Sequence, residues 1–299
     1  MFALGGVWGG SFLFIKVVVD ETGPFELVAG RILFGFVAVA GFVAITRRPW
    51  TWPSRTLLAQ MTLLALLANV IPFALISWAE EHIESGTASV LNATVPIFTA
   101  VVAAAALDEE EFTRPRAIGL LLGFIGVGVL TGTESLDVTD SSMIGQLAVV
   151  AAALCYGIAA VMLRTMIKGQ DLVNVTLLQL ALAGLLSIPI LLVVTGGPSY
   201  SLSIEAWLSL VTLGVFGTGL GYVGWVWMIE VLGSVRASLV TYIVPVVALV
   251  LGWLVLDESV GVNTIAGFLL IIAGVATVMR GAAPASRRPV DVAPAAAGE

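Results

Sequence analysis

Long apolar runs, separated by short polar segments, dominate the chain. They cover, in residue numbers, about 2–19, 25–45, 57–79, 83–107, 116–132, 143–163, 172–195, 206–228, 233–256 and 264–279. A helix of about 20 apolar residues spans a bilayer, and in hydrocarbon each backbone polar group must be paired within its own segment. The pattern therefore predicts an all-α polytopic membrane protein with ten transmembrane helices.

Composition excludes an ordinary soluble fold. Of the 299 residues, 59% are hydrophobic and 11% are charged, with a mean hydropathy of +1.06, whereas soluble domains have about 45–50% apolar and about 25% charged residues. One cysteine, Cys155, and one histidine, His82, supply neither a disulfide nor a His-rich metal site. No metal or cofactor is therefore expected. The chain enters its first apolar run at Phe2 without a basic region or a cleavage site, which predicts a retained first span.

The basic residues are divided unevenly between the two sets of loops. Eleven of the 13 follow the even-numbered spans: Arg47, Arg48, Arg55, Arg114, Arg116, Arg164, Lys168, Arg236, Arg280, Arg287 and Arg288. The positive-inside rule predicts a multi-pass protein of the cell membrane with both termini in the cytoplasm. The net charge of -7 argues against nucleic acid as a partner. The expected partners are a small-molecule solute and the lipid bilayer, and the pattern is compatible with a homo-oligomer.

The chain contains an internal repeat. Residues 85–109 align without gaps on residues 234–258, 149 positions later, and Pro96 coincides with Pro245. At an offset of 148 the alignment continues upstream, where the pairs are Gly9 with Gly157, Lys16 with Arg164 and Arg31 with Gln179. Each copy holds five spans, an odd number, so the second copy enters from the opposite face. We therefore predict two inverted repeats, 1–132 and 143–280, followed by a disordered cytoplasmic tail at 281–299.

These motifs resemble the drug/metabolite transporter superfamily, in particular its EamA-type ten-helix carriers, over about residues 2–279. The matching features are Trp8-Gly9-Gly10-Ser11-Phe12 with Lys16, Arg31-Ile32-Leu33, the stretch from Ser85 to Pro96, and Glu109 … Gly119 … Gly126 with its copy Glu258 … Gly267 … Gly274. In one departure, Asp108 and Asp257 stand where the family often has Gly before the Glu. The resemblance implies a secondary transporter of a small organic metabolite, amino-acid-like or drug-like, working by alternating access in export or exchange.

Two spans with proline at matching positions indicate a candidate substrate site. Pro96 and Pro245 lie near the middle of spans 4 and 9, and each is expected to kink its helix and to free a backbone carbonyl. Polar side chains at this depth are predicted to bind the substrate: Asn92, Thr94, Thr241 and Tyr242. In the alternative, the prolines only bend the helices, and Ser or Thr side chains satisfy the freed carbonyls.

Aromatic side chains are candidates for the cavity wall. Trp8 and its repeat mate Tyr156 lie well inside spans 1 and 6, and Tyr222 with its mate Phe73 lies in spans 8 and 3. We predict a substrate cavity lined by spans 1, 3, 4, 6, 8 and 9, although plain packing would place aromatic residues there as well. The tryptophans near span ends are expected at the membrane interface: Trp78, Trp207, Trp225 and Trp227.

Two cations, Lys16 and Arg31, lie within apolar runs. They are interpreted as ion-paired anchors with Asp20, Glu21 or Glu26 nearby. In the alternative, they have a gating role, or Arg31 holds an anionic group of the solute. The acidic residues fall at span ends or in loops, so no proton relay is visible. Few charges at mid-depth favour a neutral, zwitterionic or amphipathic solute.

Two other classes of function remain as alternatives. A membrane-embedded enzyme acting on a lipid-linked substrate needs clustered acids, bases or metal ligands near one interface, and the scattered loop carboxylates do not supply them. We therefore expect no enzymatic activity and no catalytic residues. A non-transporting helical scaffold is the third alternative, because the glycine-rich helix faces would also support assembly.

Overall fold

The computed structural model describes residues 1–50, 52–107, 113–131, 141–197 and 200–280. The tail expected at 281–299 lies outside these ranges, as do Asp108 and Glu109 of the first repeat.

Ten helical segments follow one another along the described chain, and no strand occurs in it. They are α1 (Phe2–Val19), α2 (Pro24–Thr46), α3 (Arg55–Ala79), α4 (Ser85–Ala106), α5 (Arg114–Thr131), α6 (Ser141–Met166), α7 (Leu172–Thr195), α8 (Ile204–Leu232), α9 (Ser234–Val255) and α10 (Val262–Arg280). Within the described residues, all of these except α5 are long and apolar enough to qualify as candidate membrane spans. The prediction of an all-α polytopic membrane protein is confirmed, whereas ten crossings in an inverted layout stay a prediction.

Four of these helices are interrupted, and the interruptions occur at corresponding positions of the two halves. Helix α3 contains a π-helical stretch at Leu66–Val70 and α8 one at Leu213–Leu220. Helix α4 breaks between Asn92 and Val95, and α9 runs as a 3₁₀ helix over Ser238–Tyr242. Regular hydrogen bonding is therefore interrupted just before Pro96 and Pro245, as expected from a residue without an N–H group.

Glycines allow α5 and α10 to pack closely. A Cβ atom on Gly119 would lie 2.3 Å from the backbone oxygen of Gly274, and one on Gly126 would lie 2.9 Å from that of Gly267. Only glycine permits backbones to approach this closely, which is the usual role of small residues between membrane helices. The other main helix pairs join the two halves of the chain: α1 packs on α9, α2 on α7 and α8, and α6 on α3 and α4.

Acidic loops meet at one end of the bundle, which we call the acidic face. The Glu258 carboxylate accepts hydrogen bonds from the backbone N–H groups of Ser85 (2.7 Å) and Gly86 (3.0 Å), at the N-terminus of α4. Asp257 before it has a left-handed φ of 54°, a conformation that Asp tolerates better than most residues. Glu21 likewise accepts the Ser203 N–H at 2.6 Å beside the start of α8.

The opposite end, which we call the basic face, carries the loops rich in arginine. Arg48 after α2 forms an ion pair of 2.6 Å with Asp171 before α7. The Asn174 side chain donates a hydrogen bond of 2.8 Å to the backbone oxygen of Pro49. Asp171 also caps α7, because its Oδ1 accepts the N–H groups of Val173 and Asn174, both at 3.0 Å.

Candidate functional site

A cavity of about 730 Å³, counting the space at its mouth, lies between helices from both halves of the chain. It is bounded by α1, α2, α3, α4, α6, α8 and α9. The prediction had included all of these helices except α2. The residues that line the cavity are Trp8, Ser11, Phe12, Ile15, Arg31, Ala68, Phe73, Ile76, Asn92, Val95, Tyr156, Ala159, Gly217, Tyr222, Trp225, Thr241 and Val244.

Most of the lining consists of pairs of residues at matching repeat positions, 148 or 149 residues apart. The pairs are Trp8 with Tyr156, Ser11 with Ala159, Ala68 with Gly217, Phe73 with Tyr222, Ile76 with Trp225, Asn92 with Thr241 and Val95 with Val244. The cavity therefore lies where the two halves present the same positions to each other.

Aromatic rings form one wall of the cavity. The Trp8 ring centroid lies 5.5 Å from that of Trp225 and 6.3 Å from that of Tyr222, and Phe73 lies 6.1 Å from Tyr222. These are the separations of stacked or edge-on aromatic pairs. Of the aromatic residues predicted for the cavity wall, all four line the cavity: Trp8, Phe73, Tyr156 and Tyr222. Trp225, which was expected at the membrane interface, lines it too.

The π-helical stretches hold two of these rings in place. The Trp8 Nε1–H donates a hydrogen bond of 2.9 Å to the backbone oxygen of Gly217, and the Tyr222 hydroxyl donates to that of Ala68. Ala68 lies four residues before Pro72, so its oxygen cannot accept the usual helical N–H. In each case the donor is a side chain of the opposite half. Hydropathy alone does not reveal this arrangement.

At the proline sites, the structure separates the predicted polar residues into two groups. Asn92 and Thr241 line the cavity, and Asn92 Oδ1 is buried without a hydrogen-bond partner. Thr94 is buried outside the lining, and its hydroxyl donates a hydrogen bond of 2.7 Å to the backbone oxygen of Leu91. Leu91 directly precedes Asn92, whose carbonyl is the one that Pro96 leaves without its helical N–H. Tyr242 also lies outside the lining, with a buried hydroxyl that has no partner.

Arg31 is buried and lines the cavity. Its Nε donates a hydrogen bond of 3.1 Å to the Thr218 hydroxyl, and its Cζ lies 3.6 Å from the centroid of the Phe73 ring. The expected ion pair with Asp20, Glu21 or Glu26 is not formed, and Asp20 lies 3.5 Å from Lys16 instead. The expectation of an ion-paired anchor was wrong for Arg31, because its side chain turns inward from α2 and away from the acidic loop.

Lys16 and Glu80 lie next to each other near the acidic face. The Lys16 Nζ donates a hydrogen bond of 2.7 Å to the backbone oxygen of Glu80 and lies 3.5 Å from Asp20, as an anchoring cation would. Glu80 follows the last residue of α3 and is fully buried, and neither carboxylate oxygen has a hydrogen-bond partner. Burial raises the pKa of Glu80 well above its ordinary value of 4.5, and the negative charge of Glu258 acts in the same direction. Its position at a span end gave no sign of this burial.

The cavity wall combines an aromatic surface with a few polar groups. In the part of the chain that the structure describes, no cluster of three His, Cys, Asp or Glu residues could hold a metal ion. The cavity contains one cation, one carboxamide and several aromatic donors, which can bind and orient a solute.

Comparison with known proteins assigns the family. Residues 1–132 and 143–280 both match the EamA-like transporter family. The chain belongs to the EamA-like transporter family. A relative, the uncharacterised transporter YoaV of Bacillus subtilis, is 28% identical over 90% of this chain and 91% of its own length.

Other comparisons agree with this assignment. A Streptantibioticus cattleyicolor relative named as a probable terminal-alkyne amino-acid exporter is 26% identical over 91% of this chain and 90% of its own length. A solved crystal structure matches with a TM-score of 0.66 and 18% identity over 93% of this chain and 97% of its own, a likeness that concerns the fold alone. The EamA-like family and these names support a multi-pass membrane transporter of small solutes.

Proposed function

We propose that the chain is a secondary transporter that carries a small organic solute through the central cavity by alternating access, in export or exchange. The observation that carries this proposal is the pairing of repeat mates around the cavity. Two halves that present matching positions to one chamber can exchange their conformations, and the exchanged state has a similar energy. The interruptions of α3 with α8 and of α4 with α9 at matching positions support the same reading.

The proposed orientation puts the basic face in the cytoplasm together with both termini, in the cell membrane. The uneven distribution of arginine supports it. At the acidic face, two contacts join loops of the two halves: Glu258 with Ser85 and Glu21 with Ser203. On this reading the acidic face is the outer one.

The composition of the cavity favours an amino-acid-like or drug-like solute. Its aromatic wall suits an apolar or aromatic body, while Asn92 and Arg31 provide polar contacts. The relative named as an amino-acid exporter is consistent with a solute of this kind. Neither alternative is favoured, since neither an enzyme nor a scaffold accounts for a chamber lined by repeat mates.

A stability screen followed by flux measurement tests the proposal. Purified protein is heated in the presence of amino acids, nucleosides, polyamines or hydrophobic cations, and compounds that raise the melting temperature are then tested for counterflow in proteoliposomes. We expect at least one class both to stabilise the protein and to be exchanged across the membrane. Failure of every class to do either would contradict a carrier and leave the scaffold.

Asn92→Ala links flux to the cavity. Its carboxamide is the neutral polar group of the lining with an unsatisfied oxygen, so its loss should lower solute affinity by roughly tenfold, the value of about one hydrogen bond. Asn174→Ala is the matched control, because this asparagine lies at the basic face and bonds the Pro49 oxygen. Equal flux in wild type and Asn92→Ala, with both proteins folded, would remove Asn92 from the site.

A further inference from the structure

Two buried polar pairs occupy matching positions in the two halves, and they differ in charge. Arg31 of α2 bonds Thr218 in the π-helical stretch of α8. Its repeat mate Gln179 of α7 bonds Asn69 in the π-helical stretch of α3, with 2.6 Å between Gln179 Nε2 and Asn69 Oδ1. Thr218 and Asn69 are themselves repeat mates, 149 residues apart. The same hydrogen-bonded pair thus occurs twice, once with a cation and once with a neutral carboxamide.

Of the residues in these two pairs, only Arg31 lines the cavity. Three lining residues have repeat mates that do not line the cavity: Phe12, Ile15 and Arg31. The mates Ala160, Leu163 and Gln179 are buried, and within the part of the chain that the structure describes they stay outside the lining. The three unmatched residues lie in the parts of α1 and α2 near the acidic face, so the cavity is displaced toward that face.

An exchange of conformations between inverted repeats would reverse this displacement. The cavity would then extend toward the basic face, and Ala160, Leu163 and Gln179 would line it in place of Phe12, Ile15 and Arg31. A solute would meet a guanidinium in one state and a carboxamide in the other.

The surroundings of Arg31 leave room for an anionic partner. None of the ion pairs of the described residues includes this buried guanidinium, and an isolated charge is costly in a membrane interior. Its electrostatic neighbours are Tyr156, Tyr222 and Glu80. Glu80 is a poor counter-ion, because burial raises its pKa and so favours its neutral form.

We propose that Arg31 binds a carboxylate group of the transported solute in only one of the two alternating states, and that Gln179 takes its place in the other. This rests on the proposed alternating-access function. A carboxylate on a guanidinium forms charge-assisted hydrogen bonds that a carboxamide cannot match. Solute affinity therefore differs between the two faces, and it is higher where the cavity is displaced toward the acidic face.

The first test compares carboxylates with their amides. Purified protein is titrated with 3-phenylpropanoate and 3-phenylpropanamide, and with hexanoate and hexanamide, while its melting temperature is followed. We expect a carboxylate to bind about tenfold to a hundredfold more tightly than its amide, as a hydrogen bond to a charged group implies. Arg31→Gln should abolish the preference, whereas Arg48→Gln at the basic face should keep it.

The second test measures the two faces separately. Uptake of the preferred carboxylate is followed in right-side-out and inside-out membrane vesicles. In wild type the half-saturating concentration should be about tenfold or more lower at the acidic face. The difference should disappear in Arg31→Gln and reverse in the exchanged variant Arg31→Gln/Gln179→Arg. If Arg31→Gln does not fold, the exchanged variant decides, because it keeps one arginine and one glutamine at the two positions.

Three results would overturn the inference: no carboxylate preference in wild type, a preference that survives Arg31→Gln, or equal half-saturation at both faces of wild type. Each of these is compatible with the proposed function as long as uncharged solutes stabilise the protein and are exchanged. Absence of binding and flux for every solute would overturn both together.

Discussion

At the scale of single residues, the buried polar groups set the properties of the bundle. Glu80 is the clearest case, since its carboxylate has no hydrogen-bond partner and no exposed surface. Burial in such a place disfavours the charged form of a carboxyl group, so the folded protein favours the neutral form. It therefore makes the stability of the protein depend on pH.

We expect Glu80→Gln to remove part of this pH dependence. Because burial raises the pKa of Glu80 above 4.5, the folded state holds a proton that the unfolded state releases. Stability from the neutral carboxyl is thus complete below the ordinary pKa and is lost as the pH rises through the raised one. Melting temperatures measured between pH 5 and pH 8 should fall less steeply in Glu80→Gln than in wild type.

The neighbouring Glu81→Gln is the control for this comparison. Burial raises the pKa of Glu81 as well, but less than that of Glu80, because Glu81 is exposed. Its substitution should leave the slope close to that of wild type. Identical slopes in Glu80→Gln and wild type would contradict a buried neutral carboxyl.

At the scale of helices, Asp171 has two separate roles at the start of α7. Burial acts to raise the pKa of its carboxyl, but hydrogen bonds from the Asn174 N–H and from Arg48 outweigh it, and the pKa lies below its ordinary value. The stability that this carboxylate contributes is present above its ordinary pKa and is lost as the pH falls. The cap and the ion pair can be removed one at a time.

Asp171→Asn and Asp171→Ala separate the two contributions. Asn keeps an oxygen that caps α7 and loses the ion pair with Arg48, which should cost less than about 1 kcal/mol. Ala loses both and should cost about 1 kcal/mol more. Unfolding in detergent at neutral pH measures the difference, and equal losses for the two variants would contradict a capping role.

Close packing of α5 on α10 makes a second prediction at this scale. In Gly119→Ala the new Cβ would meet the Gly274 oxygen at 2.3 Å, so the helices must move apart, at a cost of about 1–3 kcal/mol. In the same helix, a Cβ on Gly128 meets nothing within 4 Å, so Gly128→Ala should be neutral or slightly stabilising. Thermal unfolding of both variants checks this, and equal melting temperatures would rule out a tight α5–α10 contact.

At the scale of the whole molecule, the two faces differ in charge and in the contacts between the halves. The acidic face joins the halves through carboxylates that accept backbone N–H groups, and the basic face joins them through Arg48 with Asp171. The proposed orientation follows from this asymmetry, and it can be tested without knowledge of the solute.

Cysteine labelling tests the orientation. In a Cys155→Ser background, Ser201→Cys reports on the acidic face and Lys168→Cys on the basic face, since both residues are exposed. A membrane-impermeant maleimide added to intact cells should label the first variant and spare the second until the membrane is opened. Labelling of Lys168→Cys in intact cells would overturn the proposed orientation.

The sequence by itself determined the helical segments, the membrane class, the family and much of the cavity wall. Continuous apolar runs require helices in lipid, whatever their neighbours, and the repeat offset directs attention to Trp8, Tyr156, Asn92 and Thr241. These features depend on local composition and spacing, so they can be read along the chain.

The tertiary structure alone decided which polar groups are buried and which reach the cavity. From the sequence, Glu80 and Trp225 were expected at span ends, and Arg31 was expected to pair with a loop carboxylate. In the structure Glu80 is buried, Trp225 lines the cavity and Arg31 lies against the ring of Phe73. The π-helical turns of α3 and α8 also became visible only in the fold. The surroundings of a side chain depend on the helix that packs against it, and residues nearly 190 positions apart, such as Arg31 and Thr218, meet only after folding.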